Sequence, residues 1–199
     1  MRKFIAATKN KGKLIEIKEI LNGFPFNVIS MEDAGIYEDV DETGSSFEEN
    51  ALIKARAVFA KTGELVMADD SGLEVDWLNG GPGIYSARYA GEGATARERN
   101  DKLLRSLEGV PFEKRTARFV CVIAVIIPHS AYFTVRGVCE GYIGFEPLGS
   151  NGFGYDPLFY IPEYDMTVAQ MEAAVKNRIS HRGKALKLMV EKLKAEQLF

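Results

Sequence analysis

The sequence is poor in the features that mark secreted, membrane-spanning and general nucleic-acid-binding proteins. Its 199 residues include only two cysteines, which lack the CxxC spacing of common zinc and redox motifs. The longest apolar run, residues 119–127, has less than half of the roughly 20 residues that a membrane span requires. The formal net charge of −3 is unlike the basic balance of a general nucleic-acid binder. We therefore expect neither a membrane nor a nucleic-acid partner.

The two cysteines also bear on the cellular compartment. Cys121 lies within the long apolar run and Cys139 within the next strand pattern, so both are predicted to be buried free thiols. The apolar stretch at residues 4–7 is too short for a secretory signal. Few cysteines without such a signal are typical of a reducing compartment, and we predict a cytoplasmic protein.

Apolar periodicity predicts an α/β fold. Hydrophobic residues make up 46% of the chain and charged residues 27%, as in ordinary soluble domains. Strands are predicted at residues 2–7, 27–29, 65–68, 73–75, 115–127 and 132–142, and helices at 13–21, 47–61, 95–107, 168–175 and 183–198. Early alternation of strands and helices, followed by a hairpin around residues 128–130, favours a mixed sheet flanked by helices. No linker divides the chain, so residues 1–199 are predicted to form one domain.

The adjacent carboxylates Asp69 and Asp70 are the most informative feature. The apolar run 65–68 leads directly into them, and Ser71 and Gly72 after them indicate a turn. Because neighbouring side chains of a strand point to opposite faces, we expect at most one of the two carboxylates to be buried. The other would lie at the carboxyl end of the strand, where open α/β sheets bind ligands. Such a pair suits Mg²⁺, although a plain polar turn would give the same pattern.

A lysine-rich loop precedes the first predicted helix. Residues 8–13 contain Lys9, Lys11 and Lys13, and match neither the GxxxxGK[ST] pattern nor a dinucleotide fingerprint. Lysines at a helix N-terminus oppose the helix dipole unless an anion is bound there. The loop therefore favours a phosphate site over a solvated helix start.

Two later segments are also candidates. Phe153 stands between two glycines, which would let a flat ligand approach the backbone, unless the ring simply fills the core. His181 and Arg182 precede the last predicted helix, where positive charge again opposes the dipole unless an anion or a carbonyl group faces it. Both segments could instead be structural.

In their order along the chain, these segments resemble the motifs of the inosine triphosphate pyrophosphatase family. The resemblance covers nearly the whole chain and runs through ATKNKGK at 7–13, ETG at 42–44, ENA at 49–51, KAR at 54–56, ADDSG at 68–72, PGIYSARY at 82–89, GFGYDP at 152–157 and ISHRG at 179–183. It implies a long mixed sheet with two lobes and a nucleotide cleft between them, and a homodimer. It also implies Mg²⁺-dependent hydrolysis of dITP, ITP and XTP to the nucleoside monophosphate and pyrophosphate.

The resemblance implies a role for each matching residue. Asp70 would be the general base and a metal ligand, with Asp41 or Glu42 as the second metal carboxylate. The base edge would be read by Lys176, His181 and Arg182. The other substrate contacts would be Thr8, Lys9, Asn10, Lys11, Gly12, Lys13 and Lys54 at the triphosphate, Ser71 beside the base catalyst, and Phe153, Gly154, Tyr155 and Asp156 at the purine.

Two other functions compete with this interpretation. The related Maf-type pyrophosphatases share the general fold but act on pyrimidine or modified nucleotides, and the segments at 153–156 and 180–182 favour the purine family instead. A nucleotide sensor would bind without hydrolysis, but it has no need of a carboxylate base beside a metal. The pair at residues 69–70 therefore favours an enzyme.

Overall fold

The computed structural model describes residues 2–129 and 132–198, and its strands and helices alternate as the sequence predicts. The strands are β1 (Arg2–Ala6), β2 (Phe26–Ser30), β3 (Leu65–Val75), β4 (Thr116–Ile126), β5 (Tyr132–Ile143), β6 (Phe159–Ile161) and β7 (Met166–Thr167). The α-helices are α1 (Lys11–Ile20), α2 (Phe47–Thr62), α3 (Ala96–Ser106), α4 (Ala173–Ile179) and α5 (His181–Ala195). None of the helices in these residues is long and apolar enough to cross a membrane.

The sheet is mixed, which confirms the predicted fold class. Its strand order is β2-β1-β3-β4-β5-β6-β7. Strand β1 pairs in parallel with β2 and β3, whereas β6 pairs antiparallel with β5 and β7. The residue Ala6 lies opposite Met67 on one side and Ser30 on the other. In the predicted hairpin, Ser130 lies outside the described residues.

The chain divides into two compact units, each with its own hydrophobic core. Unit 1 comprises Met1–Asp70, Cys121–Gly137 and Arg182–Phe199, and unit 2 comprises Ser71–Val120 and Val138–His181. In unit 1, apolar side chains of α1 and α5 pack with those of β1, β3 and β4. In unit 2, α3 packs with the remainder of β3, β4 and β5 and with β6. No linker separates the units, because β3, β4 and β5 each contain residues of both.

The predicted turn at residues 69–72 is wrong, because Leu65–Val75 forms one continuous strand. Strand β3 lies between β1 and β4, and although β1 pairs with it only as far as Met67, pairing within the sheet overrides the turn preference of Ser71 and Gly72. The expectation that only one carboxylate is buried is also wrong. Asp69 is 2% exposed and Asp70 is 6% exposed, because both faces of this strand are covered. The pair thus lies mid-strand, where a carboxylate needs partners to stay ionised.

Several predicted helix caps and boundaries are confirmed, whereas two helices begin at residues other than those predicted. Thr95 and Glu98 form the predicted capping box of α3, and Gly63 ends α2 in the left-handed conformation with φ of 63°. The helix expected at 168–175 is instead a short 3₁₀ turn, Val168–Gln170, followed by α4. Helix α5 begins at residue 181, two residues before the predicted start. Both cysteines are free and buried, as predicted.

Candidate active site

A lysine bridges two carboxylates beside the centre of β3. Lys54, on α2, donates from Nζ to Glu42 Oε1 at 2.7 Å and to Asp70 Oδ1 at 3.1 Å. The other oxygen, Asp70 Oδ2, is buried and has no hydrogen-bond partner among the described residues. A buried carboxylate oxygen without a partner is costly in an apo protein, which favours a ligand at this position.

The environment raises the pKa of Asp70. Burial is the largest cause and the neighbouring Glu42 charge adds to it, while the Lys54 charge acts in the opposite direction. Burial would lower the pKa of Lys54, but the charges of Asp70, Asp69 and Glu42 outweigh burial and raise it. Lys54 therefore stays protonated beside a carboxylate whose proton affinity is above that of an ordinary aspartate, as suits a general base.

Asp69 lies in a different set of contacts. Its Oδ2 accepts from Arg182 Nη2 at 3.2 Å and lies 3.2 Å from Lys13 Nζ. The thiol of Cys121 also lies 3.9 Å from this oxygen. Burial would raise the pKa of Asp69, but the charges of Lys13, Arg182 and Lys54 hold it well below its usual range. Asp69 is thus a fixed anion that holds cations, and is unsuited to accept a proton.

Arg182 connects Asp69 to a residue that the sequence analysis did not identify. Its Nη1 donates to Glu16 Oε2 on α1, and Arg182 is only 2% exposed. Glu16 is also buried, and it lies three residues after Lys13 on the same helix. That spacing, which places Lys13 and Glu16 on one side of α1, was the available sequence signal. The guanidinium therefore lies between two carboxylates, whereas the sequence analysis assigned it to a base edge.

The loop before α1 is arranged around its N-cap. Asn10 Oδ1 accepts from the backbone N–H of Lys13 at 3.1 Å, and Asn10 N donates to Thr8 Oγ1 at 3.1 Å. Lys11 and Gly12 are the first residues of the helix, so their N–H groups have no acceptor within it. Lys9 contacts Asp39 instead, with Nζ 2.7 Å from its Oδ1. The loop offers backbone donors and Lys13, whereas Lys9 already has an anionic partner.

Unit 2 holds the second candidate group, the aromatic loop, which comprises residues 152–156. Asp156 Oδ2 accepts from Phe153 N at 2.8 Å and from Lys176 Nζ at 2.7 Å. The same ammonium lies 4.7 Å from the centre of the Phe153 ring. Gly152 has φ of +74°, and a Cβ there would lie 2.1 Å from Asp156 Oδ2, so no other residue fits. Asp156 and Lys176 are both buried, which makes this a desolvated ion pair.

His181 lies close to this loop within unit 2. Its ring stacks on Phe119 with centroids 4.8 Å apart. His181 lines a small cavity together with Asp156, Lys176, Ser180, Phe119 and Cys139. The cavity measures about 10 Å³, which is close to the space for one water molecule and far below that of a purine. Two of the residues predicted to read the base edge, Lys176 and His181, thus line the same cavity.

The other predicted site residues have less direct support. Ser71 is half-buried and follows Asp70 in β3. Tyr155 is buried and donates its hydroxyl to Ser86 O at 2.8 Å, and Gly154 O accepts from Asn100 Nδ2 at 3.2 Å. Tyr155 and Gly154 therefore hold the loop in place.

The two candidates for the second metal carboxylate, Glu42 and Asp41, differ in their surroundings. Glu42 shares Lys54 with Asp70, whereas Asp41 is exposed and has no ion pair among the described residues. Within those residues, no three His, Cys, Asp or Glu side chains converge on one point. Mg²⁺ is commonly held by one or two carboxylates plus waters and substrate phosphates. Glu42 and the unpartnered Asp70 Oδ2 fit that donor set.

Comparisons with known proteins show which family this chain is similar to. The family model described as the Ham1 family matches residues 4–192. A dITP/XTP pyrophosphatase of Bacillus licheniformis is 51% identical over 192 residues, which cover 94% of this chain and 95% of the relative. The enzyme of that name from Desulforamulus reducens is 52% identical over 189 residues, covering 95% of this chain and 94% of the relative.

Two solved structures of Ham1 proteins are similar to this chain over nearly its whole length. A HAM1 protein from Coxiella burnetii has a TM-score of 0.89 and 43% identity, covering 98% of this chain and 100% of the other. The Staphylococcus aureus Ham1 protein has a TM-score of 0.88 and 43% identity over the same shares of the two chains.

Proposed function

The chain belongs to the Ham1 family, and from that premise we propose that it hydrolyses dITP, ITP and XTP to the nucleoside monophosphate and pyrophosphate. The observation that carries the proposal is Asp70, a buried carboxylate with a raised pKa and an unpartnered oxygen beside Lys54 and Glu42. The names of the relatives support this substrate class. Such an enzyme would remove these nucleotides from the precursor pool.

The proposed reaction is the attack of water on the α-phosphorus. The water oxygen forms a bond to the α-phosphorus, its proton passes to Asp70, and the bond from the α-phosphorus to the bridging oxygen breaks. Pyrophosphate leaves with the bonding electron pair, so negative charge accumulates on it. Lys54 is positioned beside Asp70 and supplies a positive charge for that step.

Mg²⁺ is the proposed cofactor, with Asp70 and Glu42 as its protein ligands. When bound, it would offset negative charge on the substrate phosphates. Glu42 is the preferred partner because it contacts the same ammonium as Asp70, whereas Asp41 is exposed. Lys54 balances the two carboxylates, which would otherwise repel each other.

The loop before α1 is proposed to bind the triphosphate. The side chains and backbone of Thr8, Asn10, Lys11 and Gly12 surround the start of a helix, which attracts anions. Asp69 holds the ammonium of Lys13 in one place, and Arg182 holds Asp69 in turn. Lys9 has a smaller proposed role, since Asp39 is its partner.

The aromatic loop is proposed to receive the purine. Phe153 would stack on the ring, and Lys176 and His181 would donate to the oxygen at C6 of hypoxanthine or xanthine. Adenine carries an amino group there, so the same donors would lose their acceptor. Arg182 contacts Asp69 and Glu16, which favours a positioning role for it over contact with the base edge.

Measurement of pyrophosphate release tests the proposal directly. Purified protein is incubated with dITP, with and without Mg²⁺, and the products are separated by ion exchange. We expect dIMP and pyrophosphate only when the metal is present. A panel of ITP, XTP, dATP and pyrimidine triphosphates then tests the substrate class. Release of inorganic phosphate, or a preference for pyrimidines, would contradict the proposal.

We also propose a cytoplasmic homodimer, on the resemblance of the sequence to its family. Sedimentation equilibrium of the purified protein measures the mass in solution. Twice the chain mass of 22.1 kDa is expected. A species of one chain mass at micromolar concentration would contradict the dimer and would leave the catalytic proposal unaffected.

A further inference from the structure

We propose that Asn100 is a positioning residue, which fixes the aromatic loop of residues 152–156 and so sets the affinity for the base. The inference rests on the proposed function of Phe153 in that loop. Asn100 lies on α3, outside every motif that the sequence resemblance contains. It is 6% exposed, although an amide of its kind is mostly found at the surface.

The contact of Asn100 with the loop is direct. Its Nδ2 donates to Gly154 O at 3.2 Å, so the hydrogen bond ends on the residue that follows Phe153. Gly154 has φ of +64°, and a glycine does little by itself to hold its backbone in one conformation. A donor on a capped helix therefore supplies the restraint that the glycine lacks.

The amide of Asn100 is retained at a cost to stability. Its Oδ1 is buried and has no hydrogen-bond partner among the described residues. An apolar side chain would avoid that penalty if the position served packing alone. The hydrogen bond from its Nδ2 to Gly154 O accounts for an amide at this position.

A second tie holds the same loop from another side. Tyr155 donates its hydroxyl to Ser86 O at 2.8 Å, and both residues are buried. Ser86 is fixed in turn, because its Oγ accepts from Leu73 N at 2.8 Å and donates to Gly83 O at 2.6 Å. The motif at residues 82–89, which the proposed reaction does not use, thus becomes part of the support of the loop.

The consequence is a pre-organised Phe153. The Gly154 carbonyl is bonded to Asn100, the Tyr155 hydroxyl to Ser86, and the Phe153 N–H to Asp156. The backbone on both sides of Phe153 is therefore restrained. Loss of one tie lowers the fraction of molecules in the binding conformation, which raises the apparent Kd by the same factor. The chemistry at Asp70 stays unchanged, because neither tie involves it.

The test combines amide exchange with kinetics. In the variant Asn100→Leu, NMR-detected exchange of the Phe153 and Asp156 amides should become about 2- to 10-fold faster, from the loss of one hydrogen bond. The KM for dITP should rise by a similar factor, while kcat stays close to that of the parent. Tyr155→Phe should give the same pattern through the other tie. Arg97→Ala, an exposed change on the same helix, serves as the matched control and should alter neither quantity.

The two measurements separate the possible failures. Unchanged exchange at residues 153 and 156 in Asn100→Leu would overturn the inference, whatever the activity. Faster exchange with an unchanged KM for dITP would also overturn it, because the loop would then not govern base affinity. If the parent released no pyrophosphate, the proposed function would fail, and exchange would still decide whether Asn100 restrains the loop. Should Asn100→Leu fail to fold, Asn100→Ala, which removes the same donor with a smaller side chain, carries both measurements.

Discussion

Two adjacent aspartates acquire opposite properties from their surroundings. Asp70 is buried beside one shared lysine, and burial raises its pKa. Asp69 is buried against Lys13 and Arg182, whose charges hold its pKa well below the usual range. The strand places the two side chains on opposite faces, so each meets different cations. The pair thus supplies one proton acceptor and one permanent anion.

Replacement of Asp70 tests the first role. Asp70→Asn keeps the shape of the side chain but removes the base and a negative charge beside Lys54. We expect turnover of dITP to fall at least 100-fold, the lower range for loss of a general base, with the fold intact. Steady-state kinetics with circular dichroism as the folding control measures this. Near-normal hydrolysis would exclude Asp70 as the base.

Replacement of Asp69 tests the second role through stability. Asp69→Asn removes one of the carboxylates that contact the buried Arg182, and loss of one partner from a buried ion pair costs about 3 kcal/mol. The folded-state pKa of Asp69 is lowered, so its contribution is present above the unfolded pKa of about 4 and is lost as the pH falls below it. Urea unfolding from pH 7 to pH 3 should therefore show a shallower acid decline in the variant. An equal slope in variant and parent would contradict this.

The sequence singled out candidate residues better than it predicted the contacts that they make. Residue types and order identified Asp70, Lys54 and the aromatic loop, because a motif preserves spacing along the chain. Glu16 and Asn100 were missed, since each acts through a partner more than 50 residues away in sequence. The base-edge role of Arg182 came with the family resemblance, and a motif does not show that its guanidinium contacts Asp69 and Glu16.

At the scale of elements, membership of the sheet outweighs the local turn preference of residues within a strand. Strand β3 continues through Ser71 and Gly72, beyond Met67 where its pairing with β1 ends, because it remains part of the sheet beside β4. Helix boundaries were predicted best where a cap is encoded locally, as at Thr95 and Gly63. The helix near residue 168 was misplaced because its apolar residues span a 3₁₀ turn and a separate helix.

The C-terminal end of α3 depends on the side chain of Arg115. Arg115 is buried and donates to Leu107 O at 2.7 Å, to Val110 O at 3.0 Å and to Gly144 O at 2.7 Å. Its fork binds two carbonyls that follow α3, those of Leu107 and Val110, and one that follows β5, that of Gly144, a geometry that a lysine cannot copy. Arg115→Lys should lower the free energy of unfolding by about 2 kcal/mol, as for a buried acceptor left unpaired. Urea denaturation measures it, with the exposed Arg105→Lys as the control, and an equal effect of both changes would contradict the role.

At the scale of the whole molecule, the proposed tasks follow the two cores. The phosphate and metal residues belong to unit 1, and the aromatic loop with Lys176 belongs to unit 2. Each set is held by contacts inside its own unit, as the ion pairs of Lys54 and Lys176 show. Substitutions in the two sets should therefore act on different parts of the substrate.

Lys54→Met and Lys176→Met separate those tasks. Lys54→Met should slow dITP and dATP alike, because both nucleotides carry the same phosphates. Lys176→Met should reduce kcat/KM for dITP by roughly 10- to 150-fold, the value of a charge-assisted hydrogen bond to the C6 oxygen, and change dATP little. The double variant should show the sum of the two free-energy changes, as independent groups do. If Lys176→Met left the dITP/dATP ratio unchanged while Arg182→Ala lowered it, the base would be read by Arg182, and its contacts with Asp69 and Glu16 would have to open when substrate binds.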